Sequence, residues 1–460
     1  MGEILWQPDP ERIRRSRMYR FLNWVNESFS RDFSIYAELH RWSVTELEQF
    51  WEFYRAGSGI HFHRGPDRVL SSHSMPGARW FEGAELNYAE NLLTGDPDRT
   101  AILSKVENRP LTTLTYRELA HRARQFAAAL EKLGIRAGDR VAGYLPNISE
   151  TVIAMLGTAG IGAVWTSCSP DFGPQGVCDR LGQVDPALLV CTDGYFYNGK
   201  TFSVTDSVKT LATRLPGLKH VVVVPFLEEG SPAGGLDNLP VTLWPEFLNS
   251  RSRENFQFQP FPFNHPLFIL YSSGTTGLPK GIVHGAGGTL LQHHKEHALH
   301  TDIGSEDVVF FYTTCGWMMW NWLVSALAQK AAIVLYEGSP SYPNLNVLWD
   351  LIDETGITMF GTSPKFLSQN IKMGIQPSRH SRFPTLRTVL STGAPLDAQC
   401  FRWVYKNVKE DLQLSSISGG TDIISCFMLG NPMLPVQCEE IQSLGLGMDV
   451  AALDENGRSV

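Results

Sequence analysis

From Thr100 onward, short apolar runs alternate with amphipathic stretches. Ala101–Leu103 predicts a strand. Leu119, Ala123, Phe126, Leu130 and Leu133 then recur at helical spacing. Thr115 and Glu118 stand where a hydroxyl and a carboxylate satisfy the free N–H groups of a helix start, and Gly134 is placed to end the helix. Arg140–Tyr144 predicts a strand, Ser149–Leu156 a helix and Ala163–Trp165 a strand. The rhythm resumes with a strand at Leu267–Tyr271 and a helix over Gly288–His300. A strand at Val308–Tyr312 and a helix at Trp320–Leu327 follow. Ala331–Tyr336, Thr358–Phe360 and Arg387–Leu390 are further strands, with helices at Val347–Glu354 and Ala398–Val408 among them. Such alternation predicts an α/β fold: two doubly wound subdomains with helices on both faces of their parallel sheets. Residues 1–95 lack the rhythm. Trp6, Trp24, Trp42, Trp51 and Trp80 mark them as an extension that packs against something larger. Residues 227–262 are polar and turn-rich and predict a link. The expected division is 1–95, 96–262, 263–430 and, from 431 to 460, the start of an incomplete β subdomain.

Composition narrows this picture. At 460 residues the chain exceeds one hydrophobic core. A net charge of −8 excludes nucleic-acid binding through bulk electrostatics. Seven dispersed cysteines without a C-x-x-C pair read as reduced thiols of a cytoplasmic protein. The N-terminus lacks an apolar signal core, and the most apolar stretch, 152–165, is shorter than a membrane span. Oligomeric state has no sequence signal.

The run YSSGTTGLPKG at 271–281 follows the strand-like segment from Leu267. It is not a Walker loop, because Pro279 precedes Lys280 and Gly281 follows it. It is not G-x-G-x-x-G either. It still has phosphate-binding chemistry. Gly274 and Gly277 let the backbone present N–H groups. Ser272, Ser273, Thr275 and Thr276 add hydroxyls, and Lys280 adds a mobile cation. HHKEH at 293–297 fits the H-x-x-E-H pattern of one zinc metallopeptidase class and gives a rival reading, against a plain polar helix.

The 271–281 run resembles the signature of the adenylate-forming enzymes, which include acyl-CoA synthetases, luciferases and peptide-synthetase adenylation domains. YTTCGW at 312–317, STGAPL at 391–396 and SGGTD at 418–422 are similar to that family's substrate-side, adenine-binding and Gly-x-Thr-Glu segments, in the required order. Residues 80–93 look like the N-terminal region of the acetyl-CoA synthetase branch. Within it, GWMMWNW at 316–322 and SISGGTDIISC at 416–426 look most like the members that activate acetoacetate.

The resemblance implies ATP-dependent ligation of an acid to CoA through an acyl-adenylate, with release of AMP and pyrophosphate. The implied substrates are acetoacetate, ATP and CoA, with Mg²⁺. Another short acid (acetate, propionate or butyrate) and an inactive adenylate-binding module are the alternatives. The implied roles are these. Ser272–Lys280 hold the β- and γ-phosphates. Thr421 hydrogen-bonds the α-phosphate and, with Lys280, is catalytic. Gly393, Ala394 and Pro395 lie along adenine, with Ser416 and Gly420 also at the nucleotide. Asp422 holds the metal where most of the family has Glu; its simpler role is to cap a helix start at Ile423. Acetyl-CoA synthetases carry a Trp two residues before the motif Thr. Gly419 stands there and implies a longer acyl pocket, walled by Trp317, Met318 and Met319. Asn321, Ser418 and the Trp320 indole are candidates to read a 3-oxo group, while Trp322 reads as core. Lys200 is a candidate CoA contact.

The family's later motifs, including an Asp that grips the ribose, a hinge and a small domain with a catalytic Lys, are not found before residue 460. The expectation is therefore a shortened chain that adenylates poorly alone and forms no thioester. Asp454–Gly457 predicts a hairpin turn.

Overall fold

The computed structural model describes residues 2–227, 239–249, 256–272 and 277–459. Two seven-stranded sheets organise them. The first runs, edge to edge, Val241–Leu243, His220–Val224, Leu188–Thr192, Arg140–Tyr144, Val164–Cys168, Pro266–Ser272 and Lys280–Gly285. The second runs Gln413–Ser416, Thr388–Ser391, Met359–Thr362, Val308–Phe311, Ala332–Glu337, Thr100–Val106 and Thr112–Thr115. Neighbours are parallel except at one end of each sheet, where Lys280–Gly285 and Thr112–Thr115 run antiparallel. Strands such as Val221–Val224 and Leu188–Cys191 are buried throughout, as parallel strands covered on both faces must be.

The strands sort differently from the expected boundaries at 96 and 262. Thr100–Val106 lies in the second sheet, where Ile102 pairs with Ile333 and Leu103 with Val334. Pro266–Gly285 closes the first sheet. The apolar rhythm reveals that a strand exists, but its partner depends on which apolar faces meet after the chain has folded. The 227–262 link also needs correction. Val241–Leu243 adds a parallel strand to His220–Val224, and Trp244 of the next helix stacks on Phe126. Residues 228–238 and 250–255 of that link lie outside the described residues.

The expected helices form where their caps predict. Thr115 accepts the Glu118 N–H and Glu118 reaches back to the Thr115 N–H, which starts the helix Tyr116–Lys132. Its apolar face packs on Ser149–Gly160, buried from Thr151 to Gly160. The N-terminal extension folds into helices knit by aromatic contacts such as Phe21–Phe50 and Trp42–Phe50. It clasps the chain's last turns: His40 meets Met448 O at 3.0 Å and Gly447 N donates to Ser43 Oγ at 2.9 Å. Asp454 accepts the Asn456 and Arg458 N–H groups in the expected turn. All seven cysteines are free. Among the described residues no helix is long and apolar enough to cross a membrane.

The sheets are stitched together near Asn147. Its side chain reaches Thr313 O at 3.3 Å and Tyr336 O at 3.4 Å, and accepts the Trp320 indole N–H at 3.0 Å. Its backbone N–H donates to Glu337 at 2.7 Å. Loss of water pushes the Glu337 pKa up from 4.5 to about 8, despite that N–H, and Asp171 and Glu107 add to the rise. The folded protein therefore keeps this proton between pH 4.5 and 8 while the unfolded chain releases it, so stability falls as pH rises through that window. Glu337→Gln removes this slope. Its melting temperature, read from pH 5 to 8, will gain steadily on the wild type; parallel curves would contradict the shift.

Candidate active site

Three neighbouring strands of the second sheet end in a row of hydroxyls. Thr362 pairs with Ser391, and Ser391 with Ser416. The carboxyl ends of parallel strands are where open α/β sheets bind ligands. A cleft of about 660 Å³ opens beyond them. It brings together eleven of the expected residues: Trp317, Met318, Met319, Gly393, Ala394, Pro395, Ser416, Ser418, Gly419, Gly420 and Thr421.

One wall is the start of the helix Met318–Ser325. Trp317 precedes it, edge-on to Phe311 at 5.6 Å. The indole lies 3.8 Å from where a Cβ on Gly393 would sit. Gly393 has φ +97, in the left-handed region that favours glycine, and its backbone and the indole line the cleft side by side.

The opposite wall is the strand Ser418–Gly420, antiparallel to Ser425–Leu429. A Cβ on Gly419 would stand 2.1 Å from Ser425 O, whereas one on Gly420 would find nothing nearer than Asp422 Oδ2 at 3.8 Å. Gly419 thus does more than omit a bulky side chain from the pocket: it lets the two strands approach. Thr421–Ile423 form a tight turn, followed by Ile424 in the left-handed region at φ +48.

The phosphate-type run is a hairpin. Ser272 pairs with Lys280, and Gly277 has φ +156. Ser273, Gly274, Thr275 and Thr276 lie outside the described residues. The Thr421–Ile423 turn packs against both hairpin strands. Lys280, Ile282 and His284 share one face of their strand, because side chains alternate. His284 is buried beside Thr421 and Asp422, and burial holds its pKa down at about 4, so the ring is neutral. Its Nε2 has no partner among the described residues. The hairpin's cation therefore shares its face with a ring that touches the Thr421–Asp422 turn. Asp422 is exposed and accepts no hydrogen bond among the described residues, so it does not cap the turn. A free carboxylate at that point fits a hard cation such as Mg²⁺.

Several expectations are corrected. The Trp320 indole is spent on Asn147, so it cannot read a substrate. Asn321 is 1% exposed and sealed off from the cleft, both amide atoms unpaired among the described residues. Ser418 remains as a lining polar group. Lys200 is exposed on a separate hairpin, Gly194–Tyr197 with Lys200–Ser203, whose turn N–H groups at Asn198 and Gly199 donate to Glu107. The metallopeptidase reading fails. His293 bonds Ser325 and Ile424 O, His297 bonds Trp322 O, and Glu296 accepts from Trp322, Ser425, Cys426 and Gln292. Both His293 nitrogens, His297 Nε2 and the Glu296 carboxylate are thus committed to the protein, and all three residues are fully buried. The helix also changes character: Ala286–Lys295 is α, and Glu296–His300 widens into a π turn.

Reading the sequence assigned no role to His284, Cys426, Glu439 or Ile441; the last three line the cleft. Strand alternation from Lys280 was the signal that could have found His284, and the 416–426 run already contained Cys426. Nothing local marks Glu439 and Ile441.

A family model described as AMP-binding enzyme matches residues 90–460, and one described as acetyl-coenzyme A synthetase N-terminus matches 36–92. The chain belongs to the AMP-binding enzyme family. Among its relatives, acetoacetyl-CoA synthetase of Xenopus tropicalis is 44% identical over 470 residues, covering 100% of this chain and 69% of the relative. Acetoacetyl-coenzyme A synthetase of Rhizobium meliloti is 44% identical over 456 residues, covering 99% and 70%. The solved acetoacetyl-CoA synthetase from Streptomyces lividans superposes with a TM-score of 0.94 at 43% identity, covering 100% of this chain and 71% of that one. In this AMP-binding fold, both adenylate-side walls rest on glycine backbone.

That dependence is testable. Gly419→Ala will cost about 1–3 kcal/mol of stability as an overpacked site and will remove most of the melting-temperature rise produced by AMP. Gly420→Ala, with room for its methyl, will keep both. Equal behaviour of the two variants would show that the strand pair yields at Gly419 without penalty.

Proposed function

We propose that this chain ligates acetoacetate to CoA with ATP, through an acetoacetyl-adenylate, releasing AMP and pyrophosphate. One observation carries the reading: a chain 44% identical throughout to acetoacetyl-CoA synthetases also gathers the motif residues Trp317–Met319, Gly393–Pro395 and Gly419–Thr421 around one cleft.

The chemistry asks for three things. A carboxylate must approach a triphosphate, so negative charge must be offset and the attack line held. Lys280 supplies positive charge, and Thr421 offers a hydroxyl to the α-phosphate. Asp422 holds Mg²⁺ accompanying the nucleotide. The adenine needs a flat apolar surface, which the cleft-lining segment Gly393–Pro395 offers beside the Trp317 indole. The acyl group needs a short pocket with one polar reader. Met318 and Met319 give adaptable apolar walls, and the Ser418 hydroxyl is the donor in reach of the cleft for a 3-oxo group. Glu439, which lines the same cleft, disfavours a second carboxylate on the acyl tail.

The deciding assay compares thioester formation from acetoacetate, butyrate and acetate at equal CoA and ATP. A site that hydrogen-bonds the 3-oxo group will favour acetoacetate over butyrate in kcat/KM by roughly 10-fold or more. Ser418→Ala will lower the acetoacetate value and leave butyrate nearly unchanged. Acetate or butyrate used as well as acetoacetate would overturn the acyl assignment.

A further inference from the structure

The HHKEH run does not bind zinc, but its burial has a consequence for the cleft. Glu296 is fully buried, and four donors converge on its carboxylate. Two come from helices: the Trp322 indole at 2.8 Å, buried on the helix whose start walls the cleft, and Gln292 Nε2 at 3.1 Å, which also donates to Ser425 Oγ at 2.8 Å. The other two are the Ser425 hydroxyl and the Cys426 N–H, the latter at 3.2 Å. Ser425 pairs with Gly420, and Cys426 with Gly419. The carboxylate therefore grips the strand immediately behind the Gly419–Gly420 wall.

His293, one turn earlier, grips the next residue along. Burial lowers its pKa, so the ring is neutral and carries one proton. Nε2 donates that proton to Ile424 O, which leaves Nδ1 to accept from the Ser325 hydroxyl at 2.8 Å. Ile424 is β-branched yet left-handed at φ +48. Such a conformation persists only where the surroundings impose it, and it occurs preferentially at functional sites. Here it reverses the chain between the Thr421–Ile423 turn and the Ser425–Leu429 strand. The π turn that begins at Glu296 is a second such irregularity in the same few residues.

We infer that Glu296 and His293 are positioning residues: they set the Gly419–Asp422 wall against which the adenylate is made, without touching substrate. The inference rests on the ligase reading for its kinetic consequence but not for its binding consequence. A purely structural role makes a different prediction. A buried carboxylate that merely fills a polar hole affects stability alike whichever of its bonds is cut, and the folded molecules stay fully active.

Ser425→Ala and Trp322→Phe cut the same carboxylate's bonds on opposite sides. Three quantities are read for each: melting temperature, AMP affinity, and kcat and KM for acetoacetate-dependent ATP–pyrophosphate exchange. Ser425→Ala will lower kcat and AMP affinity by roughly 10-fold or more, as small misplacements of a reacting site do. Trp322→Phe, a change at a fully buried residue that does not line the cleft, will lose at least as much melting temperature but keep kcat and AMP affinity within about 2-fold of wild type. Glu296→Gln, which keeps the shape but presents N–H groups to the Cys426 N–H, will follow Ser425→Ala. If both single-bond variants change activity in proportion to melting temperature, or not at all, the positioning role is refuted. If the wild type shows no acetoacetate-dependent exchange, the ligase reading fails instead, and the AMP affinities still decide the positioning role.

Discussion

The cleft depends on the close approach of two short strands at Gly419. No side chain fits between that residue and the Ser425 carbonyl, so backbone meets backbone. Everything that follows in the chain inherits its position from this contact. Thr421 and Asp422 turn out of the strand, Ile424 reverses the chain in a strained conformation, and Cys426 returns to line the same cleft. A wall built this way presents N–H and C=O groups at fixed places. It cannot bend to follow a ligand as a loop of flexible side chains would, which favours a charged, geometrically demanding reaction over loose apolar binding.

Polar groups buried beneath the wall hold it. A buried carboxylate is tolerated only when its oxygens are satisfied, and Glu296 has four donors. Buried imidazoles stay neutral and act as fixed donor–acceptor pairs, as His293 does between Ser325 and Ile424. The same logic joins the two sheets at Asn147 and Glu337. These networks add directional constraint where apolar packing alone would allow sliding.

Much of this was legible in the residues. The alternation of apolar runs located most strands and helices, and the Thr115–Glu118 cap located a helix start to the residue. The ordered motifs named eleven residues that the fold gathers in one cleft. What escaped has a common cause. Sheet membership of Thr100–Val106 and Pro266–Gly285 depends on pairing across long stretches of chain. The Trp320 indole read as a substrate donor because its partner, Asn147, lies 173 residues away. Gly419 read as missing bulk because one residue reveals nothing of the strand opposite. HHKEH read as a metal site because spacing shows which atoms share a helix face, while burial decides whether any lone pair is left over. Each failure is one of tertiary partnership rather than local propensity.

The most direct test of the account is a crystal structure of the protein with a non-hydrolysable acetoacetyl-adenylate analogue. The account predicts adenine along Gly393–Pro395, phosphate oxygens at Thr421, and the acyl tail between Met318 and Ser418. An analogue bound outside this cleft, for instance in the smaller cavity of about 230 Å³ lined by Arg12, Arg15 and Arg387, would contradict it. So would an acyl tail pointing away from Met318.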